Sequence, residues 1–300
     1  MRLLKPWLCS GALLFAVVAG CGKKEPHTSG ELLRRLPMED AAVVHIDVGA
    51  LRKAGVLNLL SAGKAAVDGE YQTFLDGTGF NYERDLDEVF GSFTPAGTFL
   101  ILKGRFDWPK LEAYAGKNSG SCFEHLCRMP GSIPERRISY LPLAKEVMAM
   151  AVSTDDLAAS RMTKEGPPRA TDLPGQPIWL TVPGNVLRNS KALPPATRIF
   201  TSALGVSESV TMTLGPATDG GTAGNYEARL NAQCRTAEDA RIMTVQLSKL
   251  TEMLKGLMGK AKSEDFASAI AAGSFSQTGT KVNGLWPLRK ELLESLAGVK

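Results

Sequence analysis

The chain of 300 residues lacks an apolar run of the roughly 20 residues that a membrane-spanning helix requires. Its charges are interspersed, with 35 Lys and Arg against 31 Asp and Glu, and they form no basic block or aromatic-rich basic stripe. The absence of a basic block or stripe argues against nucleic-acid binding. A Walker loop, a complete Gly-x-Gly-x-x-Gly fingerprint and a calcium-binding loop are also missing, which leaves no sequence support for a cofactor.

Histidine is scarce, with 3 residues in the chain. His27 lies in a polar N-terminal segment and His125 lies between two cysteines, so neither suggests a catalytic triad. His45 and Asp47 fall on the same face of a predicted strand, where a carboxylate could orient an imidazole as a general base. The alternative is a pair of polar residues on a solvated strand face, which we favour because no Gly-x-Ser-x-Gly elbow accompanies them.

A second short pattern points towards hydrolysis. Ser61-Ala-Gly-Lys64 has the Ser-x-x-Lys form of penicillin-binding enzymes, in which a lysine one helical turn away deprotonates the serine. Those enzymes also need a Lys-Thr-Gly strand and a Ser/Tyr-x-Asn element, and neither follows in order here. Because matches of two residues arise by chance, Ser61 and Lys64 are only a place to look if the protein is a hydrolase.

The N-terminal residues carry the most specific signal. Arg2 and Lys5 precede a mostly apolar run at 7–19, which is typical of the core of a signal peptide. The run closes on Val18-Ala19-Gly20-Cys21, which resembles the lipobox of bacterial lipoproteins. This resemblance implies export, cleavage before Cys21 and acylation of that cysteine, whose several acyl chains then hold the protein on a membrane.

Two alternatives remain for this segment: an ordinary signal peptide with an incidental cysteine, and an uncleaved short apolar segment. Gly22 stands where lipoproteins retained at the inner membrane of enteric-type cells usually carry aspartate. The lipoprotein resemblance therefore implies the periplasmic face of an outer membrane. We interpret residues 1–20 as the signal peptide and residues 21–30, which are polar and contain proline and glycine, as a flexible lipidated tether.

Three further cysteines follow the tether: Cys122, Cys127 and Cys234. In an oxidising envelope, the spacing of the first two permits a loop-closing disulfide and leaves Cys234 buried and free. All three could instead be small core or loop residues. A zinc site on Cys122, His125 and Cys127 is a weaker interpretation, because a structural site needs a fourth ligand.

Short alternating strands outnumber long crossover helices in the body of the chain. Predicted strands cover 42–48, 98–103, 137–143, 146–152, 178–182, 209–214, 226–233, 273–278 and 281–285. Predicted helices cover 49 to about 60, 107 to about 115, 153 to 162, 236 to 257, and a last one that Pro287 opens. The pattern predicts an α+β fold with mainly antiparallel sheet and helices packed on one face.

The helix at 236–257 has one continuous apolar stripe, which we expect to lie on a sheet. A proline- and glycine-rich stretch at 166–177 predicts a linker between a first α+β lobe, 31–165, and a second, 178–300. Residues 46–53 and 180–189 align once two residues are inserted in the second segment. The lobes are therefore candidates for an internal duplication.

The body is also similar to a loose group of uncharacterised exported bacterial proteins. The likeness rests on the opening at 36–40 and 43–47 and on Gly-Leu-Trp-Pro at 284–287, and it implies no known activity. Two function classes remain. We favour a non-catalytic envelope lipoprotein, anchored to a membrane, that binds an envelope protein, lipid or glycan or scaffolds an assembly. The alternative is an envelope hydrolase with an unrecognised active site.

Overall fold

The computed structural model describes residues 27–57, 69–167, 173–189, 203–217, 225–257 and 270–290. The strands are β1 (Ala42–Asp47), β2 (Leu86–Thr94), β3 (Gly97–Gly104), β4 (Ser121–Phe123), β5 (Leu126–Pro130), β6 (Arg137–Ala144), β7 (Val147–Ser153), β8 (Ile178–Pro183), β9 (Ser207–Pro216), β10 (Tyr226–Cys234), β11 (Ser274–Thr278) and β12 (Lys281–Leu288). The helices are α1 (Ser29–Arg34), α2 (Val48–Lys53), α3 (Gly69–Thr78), α4 (Tyr82–Asp85), α5 (Trp108–Lys117), α6 (Gly184–Asn189) and α7 (Ala237–Leu257), with a 3-10 helix at Ala158–Thr163.

All twelve strands in the described ranges belong to one sheet, in the order β11-β12-β10-β9-β8-β1-β2-β3-β7-β6-β5-β4. Every neighbouring pair is antiparallel. The predicted α+β fold with a mainly antiparallel sheet is therefore confirmed. Strands β1 and β8 pair in the middle, with Val44 opposite Leu180, so the two halves of the chain build a single continuous sheet.

The order of elements repeats on the two sides of the β1/β8 pair. From β1 outwards come β2, β3, β7 and β6, and from β8 outwards come β9, β10, β12 and β11. Helix α5 follows β3 in the chain, as α7 follows β10. A strand-for-strand correspondence of this kind supports the internal duplication.

Two arginines occupy corresponding places in this repeat. Arg52, in the helix after β1, donates to the carbonyl of Leu86, where β2 begins. Arg188, in the helix after β8, donates from Nη1 to the carbonyl of Ser207, where β9 begins, at 3.4 Å. These are the arginines that the alignment of the two segments superposes, so the repeat extends to individual side-chain contacts.

The sheet has two faces that are covered differently. Face A carries Ile46, Val89, Leu102 and Met148, and the four occupy one row across β1, β2, β3 and β7. Helices α2, α3 and α5 pack on face A in the first half, and α7 packs on it in the second. The prediction that helices pack on one face therefore holds for α2, α3, α5 and α7.

Face B, marked by the row His45, Phe90, Ile101 and Ala149, has its own cover in the first half. Helix α1 and the 3-10 helix pack there against a buried cluster. The cover is required because this face carries large apolar side chains such as Phe90, Phe99 and Ile101. Exposing them would forgo about 25 cal/mol per Å² of apolar surface.

Three predicted helices differ in the structure. Helix α2 ends at Lys53 and not near residue 60, and Gly55, two residues later, has a left-handed backbone conformation with φ 71°. Residues 153–162 do not form an α-helix: Ser153 ends β7, its hydroxyl accepts the N–H of Asp155 at 3.2 Å, and a 3-10 helix follows. Residues 291–300 lie outside the described ranges. Pro287 does not open the last predicted helix, whose first described residue is Lys290, because β12 continues to Leu288. Beyond Leu285 this strand pairs only with β10, so the missing N–H of proline interrupts no ladder on the open side.

Candidate functional site

A cleft of about 650 Å³ opens on face A of the first half, between helices α3 and α5 and strands β3, β5, β6 and β7. Its volume lies in the range of small-molecule sites in proteins, roughly 300–1,000 Å³. The floor consists of alternating strand residues that all point to face A. They are Leu102, Ile138, Tyr140, Met148, Met150 and Val152.

The floor is deep at one end and open at the other. Met148 pairs with Leu102, Met150 with Tyr140, and Val152 with Ile138, which gives three successive rows. Met148 is only 5% exposed, whereas Met150 and Val152 are partly exposed. Met148 and Val152 are four residue steps apart on β7, a distance of about 13 Å. The floor therefore extends about that far from its buried end at Met148 to its more exposed end at Val152.

Aromatic rings form the wall opposite the sheet. Phe74 of α3 meets Tyr114 of α5 edge to face, with ring centroids 5.2 Å apart, and Phe80 stacks on Phe106 at 5.5 Å. Gly77 lets the two helices approach, because a Cβ at that position would lie 2.7 Å from the Tyr114 ring. The contact between the two helices of this wall therefore depends on Gly77, a residue that no sequence pattern marked as important.

The cleft offers apolar contacts and little polar chemistry. Of the described residues that line it, none carries a charge at neutral pH. The hydroxyl of Tyr140 donates to the carbonyl of Leu111 at 2.7 Å, and burial raises the pKa of Tyr140 to about 12. This phenol is neutral and already paired, so the lining suits an apolar ligand and contains no candidate acid–base pair.

His45 lies on the other face, beneath α1, and its side chain is only 12% exposed. The imidazole packs against Phe90 and Trp179, with centroids 4.6 and 5.6 Å away. The expectation of a solvated strand face is therefore wrong, because α1 and its neighbours cover it. Asp47 does not orient His45: its carboxylate accepts the N–H of Ala50 at 2.7 Å and caps α2.

Glu88 is the partner of His45, with Nε2 and Oε2 3.4 Å apart. Lys103 donates to the same carboxylate at 3.0 Å and Ser29 at 3.1 Å. The hydrogen bond with His45, with help from Lys103, lowers the pKa of Glu88 to about 2. Because Ser29 binds the carboxylate and not the imidazole, the cluster lacks the base-to-hydroxyl contact that would activate a serine nucleophile.

The cysteines of the hairpin are bonded to one another. Cys122 and Cys127 stand directly opposite in β4 and β5, and their sulfurs are 2.03 Å apart. Cys234 is buried and free, and burial raises the pKa of its thiol. Two cysteines in a disulfide offer no thiolates, and in the described part of the chain no three His, Cys, Asp or Glu side chains are grouped to hold a metal.

Several residues that the sequence singled out lie outside the described ranges: Cys21, Ser61 and Lys64. Among the described helices, none combines the length and apolarity needed to cross a bilayer. The cleft residues were not selected from the sequence, because their apolar alternation is the same as that of any half-buried strand. Glu88 was missed with its whole strand, since Asp87, Glu88 and Gly91 are residues that strands disfavour.

No protein-family model and no curated protein matches this chain. Among solved structures it is similar to crystal form I of TP0453, with a TM-score of 0.45, 11% identity, and 89% of this chain and 96% of that chain covered. For crystal form III the TM-score is 0.48, with 12% identity and coverage of 91% and 98%. For crystal form IV the values are 0.43, 10%, 86% and 91%. A likeness at this level says nothing about ligand or activity.

Proposed function

We propose that this protein is an exported lipoprotein, anchored through Cys21 to the periplasmic face of an outer membrane, that binds an apolar ligand without chemical change. The lipobox at 18–21 supports the anchor. The cleft on face A carries the binding role, because it is roomy, apolar and bounded by side chains with no reactive group. Its ligand is the alkyl chain of a lipid, which accounts for a groove that is closed at Met148 and open at Val152.

The second half of the molecule supports this interpretation by contrast. On face A of β12 and β11, the strands that correspond to β7 and β6, Trp286 and Phe275 pack edge to face at 5.2 Å. Met243 and Leu247 of α7 cover this half of the sheet and are almost completely buried. The same architecture can thus fill this place with side chains, whereas the first half leaves it open. An open apolar groove forgoes the dispersion contacts of a packed core, which a bound chain restores.

The test is binding of an alkyl-chain dye to residues 22–300, which retain every described residue. We expect saturable binding with one site per molecule, and co-purified lipid visible by native mass spectrometry. Met150→Trp fills the floor of the cleft and should reduce dye affinity at least tenfold. Met212→Trp is the matched control, since Met212 is 37% exposed on the same face in the other half. Equal binding by all three proteins, or no saturable binding by the wild type, would contradict the proposal.

A further inference from the structure

An arginine side chain, that of Arg136, contacts Val152 at the more exposed end of the cleft. Arg136 comes immediately before β6 and two residues before Ile138. It therefore falls on the same alternate positions of the chain as the floor residues Ile138 and Tyr140. Its Nη1 reaches the carbonyl of Val152 at 3.5 Å, at the limit of a hydrogen bond. Within the described ranges, no carboxylate forms an ion pair with Arg136.

A backbone hydrogen bond fixes the position of Arg136 relative to the loop that lines the cleft. The N–H of Gly131 donates to the carbonyl of Arg136 at 2.8 Å, which closes the loop between β5 and β6. Gly131 and Ser132 of this loop line the cleft, and a Cβ on Gly131 would lie 2.8 Å from that carbonyl oxygen. The backbone of Arg136 is therefore held beside the loop that lines the cleft. The single long bond of the guanidinium to Val152 leaves its other N–H groups available.

We infer that the ligand is a single-chain anionic amphiphile, a fatty acid, with its chain in the cleft and its carboxylate on Arg136. This inference rests on the proposed function. A guanidinium binds a carboxylate through two parallel N–H donors, and the contact is stronger where one side borders apolar groups. The partly exposed position of Arg136 lets the carboxylate keep part of its hydration, so the charge need not enter the groove.

The experiment compares dodecanoate with 1-dodecanol, which has the same chain and no charge, by calorimetric titration of residues 22–300 below the micelle concentration. Wild type should prefer dodecanoate. Arg136→Gln should weaken dodecanoate binding about tenfold, because the carboxylate loses its pairing with a partly solvated guanidinium, and should leave dodecanol within about twofold. Arg136→Lys should retain part of the preference. Arg137→Gln is the control, because Arg137 is exposed and, by strand alternation, points to the face of the sheet opposite the cleft.

The outcomes separate this inference from the proposed function. Equal affinity of wild type for the acid and the alcohol would overturn the role of Arg136 and leave an apolar binding site standing. An Arg136→Gln variant that loses both ligands equally would overturn it too, since the arginine would then only shape the loop. Failure of wild type to bind either compound would remove the alkyl-binding function and the inference together.

Discussion

The imidazole of His45 pairs with Glu88 on the neighbouring strand, Nε2 to Oε2 at 3.4 Å, and not with Asp47 on its own strand. In the β1/β2 register, Glu88 stands opposite Asp47 and one diagonal step from His45. Lys103 on β3 completes the group from the other side. The ionised carboxylate of Glu88 therefore ties three strands and α1 together at the centre of face B.

Stability should depend on the charge of Glu88. Its pKa is lowered to about 2 in the folded protein, chiefly by the hydrogen bond with His45. A carboxyl group with a lowered pKa stabilises the fold at pH values above the pKa of the unfolded state. This stabilisation is lost as pH falls from about 4.5 towards 2. Glu88→Gln should cost about 2 kcal/mol at pH 7, and the difference from wild type should shrink in urea melts at pH 5, 4 and 3.

A matched control for this prediction is Glu146→Gln, an exposed glutamate in the turn between β6 and β7. It should change the free energy of unfolding by less than about 0.5 kcal/mol at every pH. A Glu88→Gln deficit that stays constant between pH 7 and pH 3 would show that the loss comes from packing and not from the charge.

The anchor prediction concerns Cys21. Cys21→Ala should abolish incorporation of labelled fatty acid and leave the unprocessed precursor, because the thiol is the acceptor of the diacylglyceryl group in the lipoprotein pathway that the lipobox implies. Labelling in cells followed by gel electrophoresis measures both effects. Cys234→Ala is the control and should label normally. A wild-type protein of mature size that is soluble without detergent would rule out the anchor.

The hairpin disulfide should contribute modestly to stability. Bridging Cys122 and Cys127 closes a loop with a sequence separation of 5, for which chain entropy gives about 2 kcal/mol. The double variant Cys122→Ser, Cys127→Ser should therefore fold with a lower midpoint in denaturant, and dithiothreitol should no longer affect it. Mass spectrometry of non-reduced, alkylated wild type tests the bond directly. Alkylation of both thiols would disprove it.

Helix α7 provides a stability test with an internal control. Leu247 is 1% exposed against the sheet, whereas Ile242 on the same helix is 38% exposed. Leu247→Ala should leave a cavity and cost about 2 to 5 kcal/mol, and Ile242→Ala should cost less than about 1 kcal/mol. Leu250 is partly exposed, so its truncation should fall between the two. A larger loss at Ile242, with a change in apparent mass, would make the outer side of α7 an interface.

The apolar period of 236–257 predicted α7 almost to the residue, and Ala240, Met243 and Leu247 of its stripe are buried as expected. Alternation predicted β1, β3, β6 and β7 within a residue or two at each end. These elements follow from sequence because each has one dominant face, and a period of 3.6 or 2 records that face locally.

Strand β2 could not be predicted from its local sequence pattern. Gly91 looks like a strand breaker, yet a Cβ there would lie 2.8 Å from Val44 and 3.2 Å from Leu100. Glycine is required because the side chains of the neighbouring strands occupy that space. Such a requirement exists only after the strands have paired, so no periodicity within 86–94 could have revealed it.

The sequence by itself determined the class of fold and most of its elements, because each of these elements has its pattern in contiguous residues. Export and acylation at Cys21 stay predictions from the N-terminal residues. Tertiary structure alone decided that both halves share one sheet, that His45 pairs with Glu88, and that α3 and α5 stand off from β6 and β7 to leave a cleft. These features depend on distances between residues far apart in the chain, and packing sets those distances only when the whole sheet has formed.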